Sequence, residues 1–225
     1  RVSKMKTFNN LQEGVYDPNI LKAFFLAGGP GSGKSYVVSR TTGGLGLKIV
    51  NSDDAFEKFL KDANLSLKMP DEEESAREPV RARAKKITKK QQSNYVEGRL
   101  GLIIDGTGKD YEKISKQARD LQQLGYDIHM VFVNTSLDTA LERNKNRPRS
   151  VPESLVIKSW KEVQANIGKF SQLFKRNFVV VDNNDTEEDI MTPVYKQIMS
   201  LAKAKVTNHL GKKWIANELA KKKRR

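Results

Sequence analysis

The sequence predicts an α/β domain, a doubly wound sheet of about five parallel strands with helices on both faces. Three observations carry that prediction. Five short, nearly continuous apolar runs recur along the 225 residues: AFFLAG (23–28), LKIVN (47–51), LGLIIDG (100–106), DIHMVFVN (127–134) and NFVVVDN (177–183). Runs without polar alternation are what strands buried on both faces require. Stretches of helical periodicity separate them, and strand–helix alternation builds a parallel sheet through right-handed crossovers. Most of the runs end in Gly, Asn or Asp, on the edge where open α/β sheets bind ligands.

The first run leads directly into Gly28-Gly29-Pro30-Gly31-Ser32-Gly33-Lys34-Ser35, which satisfies G-x-x-x-x-G-K-[ST] in full. The motif stands after a strand and before the helical run SYVVSRT, the context a phosphate cradle needs. Glycines let backbone N–H groups converge on a phosphate, and the helix that follows aims its positive end at the same point. These eight residues are therefore expected to hold a nucleoside triphosphate, ATP or another NTP. Lys34 would reach the β- and γ-phosphates, and the Ser35 hydroxyl would ligate Mg²⁺.

The second strand ends in KIVNSDDAF, about twenty residues after Lys34, placing Asp53 and Asp54 at the same sheet edge. A carboxylate there can accept the proton of an attacking hydroxyl. Asp also caps helices well, so either residue suits either role, with Asp53 the candidate base. The third strand ends in LIIDGTG. Asp105 is a candidate Mg²⁺ ligand, and the Gly that follows it stands where motor ATPases carry a water-activating Glu. The fourth strand leads through a Thr135 or Ser136 cap into a helix that ends in Arg143, Arg147 and Arg149. On a helix–loop lid of about 143–152, these arginines would close over the triphosphate and neutralise charge on the transferring group.

Between the second and third strands lies an insert of about 55–99. It opens on AFEKFLKDA, passes through the acidic DEEESAREP and becomes the basic VRARAKKITKKQQSNYVEGR. It suits either a solvated helical hairpin with internal ion pairs or a cap facing the acceptor. A kinase domain over 1–185 is followed by a basic helical extension over 186–225, where Ile190, Val194, Ile198 and Leu201 keep helical spacing before a terminal Lys/Arg cluster. No internal repeat is visible.

Composition bounds the chemistry. The chain is 37% hydrophobic and 30% charged, with no apolar run approaching a membrane span. Its start, RVSKMKTFNN, has no apolar core of the secretory kind. Zero cysteines exclude disulfides, zinc–thiolate sites and thiol nucleophiles, and two histidines, His129 and His209, leave little for a multi-His metal site. A cytoplasmic setting without membrane attachment is expected. The net charge of +14 favours polyanionic partners, nucleic acid first, through the 80–99 stretch and the tail.

Taken in order, GGPGSGKS, VNSDD, IIDGTG and ERNKNRPRSVP resemble the zeta-toxin and polynucleotide-kinase branch of P-loop kinases, over roughly 22–183. The resemblance implies the kinase-type P-loop fold and transfer of a γ-phosphoryl group to a hydroxyl. It implies Asp53 as base, Ser35 on Mg²⁺, Arg143, Arg147 and Arg149 as lid arginines, and Asn183 near the adenine. Its members act on nucleic-acid ends or on nucleotide-activated amino sugars. The polynucleotide kinases carry an Arg soon after the base, whereas here AFEKFLK has none before Arg77, although Lys58 suits that place. Other readings of the residues are a nucleic-acid-binding accessory protein with a regulatory or vestigial P-loop, and a nucleoside monophosphate kinase.

Overall fold

A computed structural model describes residues 14–17, 19–42, 45–147, 150–184 and 191–223. Five parallel strands form one sheet in the order β2-β3-β1-β4-β5. They are β1 (Lys22–Ala27), β2 (Lys48–Val50), β3 (Leu102–Asp105), β4 (Asp127–Asn134) and β5 (Phe178–Asp182). Each falls within or beside an apolar run. The first helices are α1 (Lys34–Thr42), α2 (Ser52–Asp62), α3 (Glu74–Glu97) and α4 (Tyr111–Gln123). They are followed by α5 (Leu137–Lys145), α6 (Glu153–Phe174), α7 (Met191–Lys203) and α8 (His209–Lys223).

β1 is central, and all six of its residues are buried. Its side chains alternate between two apolar layers, as the strand period of two demands. Phe24 and Leu26 join Val37 of α1 and Val194, Ile198 and Ala202 of α7 on one face. Ala23, Phe25 and Ala27 join Ala118 and Leu121 of α4 and Val163, Phe170 and Phe174 of α6 on the other. β4 divides in the same way: Val131 and Val133 face the first layer, Ile128, Met130 and Phe132 the second. Each such large side chain contributes about 1.5–3 kcal/mol by leaving water. β2 is a short edge strand, with Ile49 48% exposed.

At the N-terminal ends of the strands, Lys22 Nζ lies 2.8 Å from Asp127 Oδ2, and both side chains are buried. The other donors to Asp127 come from the turn before α8: the Thr207 N–H and hydroxyl and the Asn208 N–H, all at 2.8 Å. Burial alone would raise the Asp127 carboxyl. The hydrogen bonds from Lys22 and Thr207 outweigh it and hold the group below its ordinary value. This network fastens α8 to the base of the sheet, while α7 completes a core layer.

The insert is a helical pair. Phe56 and Leu60 of α2 meet Met69 and Ala84 in a small apolar cluster of their own. The acidic run makes a 3₁₀ turn at Asp71–Glu73 and enters α3 at Glu74, in the same helix as the basic stretch. Among the described residues, none of Arg81, Arg83, Lys85, Lys86, Lys89 and Lys90 forms an ion pair, and all are exposed. Two are ordered differently, Arg81 over the Phe56 ring at 4.6 Å and Arg83 over Phe59 at 4.4 Å. Among the described residues no helix is long and apolar enough to cross a membrane.

Candidate active site

The loop from Gly28 to Ser35 joins the central strand to α1 at the C-terminal edge of the sheet. Two of its glycines are obligatory. Gly31 (φ +81°) packs against the backbone of Ala140 in α5, and Gly33 (φ +86°) against the Asn183 side chain, so a Cβ at either place would collide. The loop is fixed at its ends by Gly28 N–H on Thr107 O (2.9 Å) and Val37 N–H on Gly33 O (3.0 Å). Lys34 folds back over it and donates to Gly28 O at 2.6 Å. Ser35 lies exposed in the first turn of α1.

Asp105 ends β3, beneath the loop. Its Oδ1 is buried and has no hydrogen-bond partner among the described residues. Burial raises the Asp105 carboxyl above its ordinary value. The Lys34 charge pulls it back down, while Asp53 and Asp54 push it further up. Burial likewise lowers the Lys34 ammonium, Asp105 and Asp53 oppose that, and Arg147 adds to it. The charges of Asp53, Asp54 and Arg147 thus bear on Lys34 or Asp105 at the C-terminal edge of the sheet. An orphaned carboxylate oxygen at the end of β3 and an exposed serine hydroxyl in the first turn of α1 are the donor types a divalent cation takes. Mg²⁺ typically takes one or two protein oxygens and completes its shell with phosphates and water. Among the described residues no cluster of three or more His, Cys, Asp or Glu could hold a metal.

Asp53 occupies the first turn of α2, but it is not the cap. Asn51 caps that helix, its side chain accepting from the Asp53 N–H at 2.8 Å. Capping thus does not account for Asp53 or Asp54, whose carboxylates are exposed at a positive helix end. Across the site, Ser136 caps α5 through the Thr139 N–H. Arg143 of α5 donates to Asn183 O at 2.7 Å, and the Asn183 amide donates to Ser32 O at 2.8 Å. Asn183 is buried. It braces the loop against α5 and the end of β5. Arg147 is exposed beside the site, and Arg149 lies outside the described residues.

Sequence reasoning missed the residues of α6 that hold the strand-end loops. The Trp160 indole donates to Thr135 O at 2.8 Å and Gln164 to Asn134 Oδ1 at 2.8 Å. The Asn166 amide bridges Gly108 O and Lys109 O at 3.1 and 2.8 Å. Their targets lie far away in sequence, and the helical pattern of 153–174 marks only its apolar stripe.

The family model described as zeta toxin matches residues 12–193, which include every part of this site. The chain belongs to the zeta toxin family. No curated protein matches the sequence. Among solved structures, a putative kinase from Chloroflexus aurantiacus is similar at a TM-score of 0.53 and 14% identity, covering 80% of this chain and 94% of that one. A chain of the PezAT toxin–antitoxin system of Streptococcus pneumoniae gives 0.53 and 14%, covering 82% and 85%. A chain of the Pnkp1/Rnl/Hen1 RNA repair complex gives 0.52 and 20%, covering 68% and 47%. At these identities the likeness is one of fold, and the fold of this zeta toxin family chain is that of the P-loop kinases.

Proposed function

We propose that this zeta toxin family chain transfers the γ-phosphoryl group of ATP, or another nucleoside triphosphate, to a hydroxyl, with Asp53 as the general base. One observation carries the proposal. Asp53 sits exposed in the first turn of α2, on the sheet edge that carries the phosphate loop, and its charge acts on both Lys34 and Asp105. A base must lie within reach of the proton it accepts, beside the phosphate site. Lys34 and the backbone of 28–35 bind the triphosphate, and Arg143, Arg147 and Arg149 offset charge on the transferring group. Asp53 accepts the acceptor's proton as its oxygen attacks in line. Ser35 and Asp105 would hold Mg²⁺, which when bound neutralises charge between the β- and γ-phosphates. Asn183 contributes by fixing the loop.

The acceptor is a nucleic-acid end, a nucleotide or a nucleotide-sugar. Labelled ATP offered with single-stranded 5′-hydroxyl DNA and RNA, nucleotides and nucleotide-sugars should label one of these classes. No labelled product, with hydrolysis alone, would refute transfer.

A second reading has its own observation, the six cations of α3 that form no ion pair among the described residues. Five of them stand at i, i+4, as Arg81–Lys85–Lys89 and Lys86–Lys90, and each such pair repels by about 0.2–0.5 kcal/mol. Binding to nucleic acid would relieve that repulsion. Its affinity should then fall by orders of magnitude between low and moderate salt, and binding with a flat salt dependence would refute the reading.

A further inference from the structure

One side chain ties the end of α5 to Val151, just before α6. Asn144, buried near the end of α5, presents its amide to the backbone of Val151 as another peptide group would. Asn144 Nδ2 donates to Val151 O at 2.8 Å, and the Val151 N–H donates to Asn144 Oδ1 at 3.1 Å. The Asn144 carbonyl meanwhile accepts from the Arg147 N–H at 3.4 Å. Arg143 precedes it directly, so this one residue bears on both described lid arginines.

The far side of the clasp leads elsewhere. The Val151 side chain leaves the lid and packs against the apolar cluster of the insert, made by Phe56, Leu60, Met69 and Ala84. Phe56 is one turn along α2 from Asp53. A chain of packed contacts therefore runs from the triphosphate side of the site to the acceptor side without crossing the phosphate loop. At one end Arg143 holds Asn183 O, and Arg147 lies within electrostatic reach of Lys34. At the other end, α2 carries the proposed base.

We infer that Asn144 and Val151 are positioning residues that couple the lid arginines to α2, so that engagement of the triphosphate also sets Asp53. The inference rests on the nucleotide-binding reading above and adds how its two halves are kept in step. Any pull on Arg143 or Arg147 toward phosphate reaches Asn144 through one peptide link or one hydrogen bond, then Val151, then the packed side chains of α2. Close-packed side chains transmit such displacements because there is little void to absorb them.

Hydrogen exchange of the full chain, with and without a non-hydrolysable ATP analogue and Mg²⁺, tests this. In the wild type, binding should slow exchange at 28–35 and also over 56–70, although the Phe56, Leu60, Met69 and Ala84 cluster is separate from the phosphate loop. Val151→Ala should lose the second protection and keep the first, and Val151→Ile should restore it. Asn144→Leu, nearly isosteric but unable to clasp, should behave as Val151→Ala does. Should Asn144→Leu fail to fold, the partly exposed Val151 position still decides the matter. A wild type without protection at 56–70, or a Val151→Ala variant that retains it, would overturn the coupling. Absence of protection at 28–35 itself would overturn the nucleotide reading, and the coupling with it.

Discussion

The two ends of the sheet each bury a carboxylate, and the two are treated in opposite ways. At the base, both oxygens of Asp127 are supplied with donors, by Lys22, Thr207 and Asn208, and the group is held below its ordinary value. At the C-terminal edge, Asp105 has an oxygen with no partner among the described residues, lies near two further carboxylates and is held above its ordinary value. A satisfied buried charge serves the fold, whereas an unsatisfied one is a standing cost that a ligand can relieve.

Breaking the base should have the largest effect on stability. Asp127→Asn leaves the Lys22 ammonium buried and uncompensated, so unfolding in urea should show a loss of about 3–5 kcal/mol. Nucleotide affinity under folding conditions should be unchanged. The native Asp127 value is depressed below 3.8, so its contribution is present at neutral pH and is lost as pH falls through that lower value. A variant that keeps wild-type stability would show that the network is ornamental.

His129 gives the next effect. It stacks on Phe24 at 4.8 Å, neither ring nitrogen has a partner among the described residues, and burial lowers it to about 4. Neutral in the fold and protonated more readily in the unfolded chain, it weakens the fold as pH falls from about 6.5 toward 4, by roughly 3 kcal/mol in all. His129→Leu should flatten that part of the stability–pH curve in equilibrium unfolding. An unchanged slope would assign the acid sensitivity to other groups.

Asp105→Asn sharpens the contrast most, because its expected effect on stability is the smallest. The raised carboxyl already burdens the fold at neutral pH, so its loss should cost nothing measurable or stabilise slightly. Mg²⁺-dependent nucleotide affinity should fall in calorimetry. A destabilisation like that of Asp127→Asn would mean that Asp105 serves the fold after all.

How much of this was legible follows the same division. The strands, the loop at 28–35 and α1 could be read because their signals are local: an apolar run, a fixed motif and a helix directly after it. The helix after the fourth strand, α5, could be placed from Ser136 and its spacing. Lys22 and Asp127 could not be paired, because each reads alone as a charged residue at a strand boundary and they lie 105 positions apart. The Asn side chains were equally silent. Asn51, Asn144 and Asn166 act by matching backbone groups that only the folded chain brings near. Capping of α2 illustrates the point, since Asp53 and Asn51 are both suited to it and geometry assigns it to Asn51.

The central claim is that Asp53 is a base for phosphoryl transfer, and one comparison tests it most directly. Once the panel has identified an acceptor, transfer from labelled ATP should be measured in single turnover for wild type and Asp53→Asn, with ATP affinity measured alongside. The account predicts a loss of transfer of about 10²–10⁴-fold with ATP affinity unchanged. Full transfer by Asp53→Asn, or a loss of ATP binding that explains the loss of transfer, would contradict it.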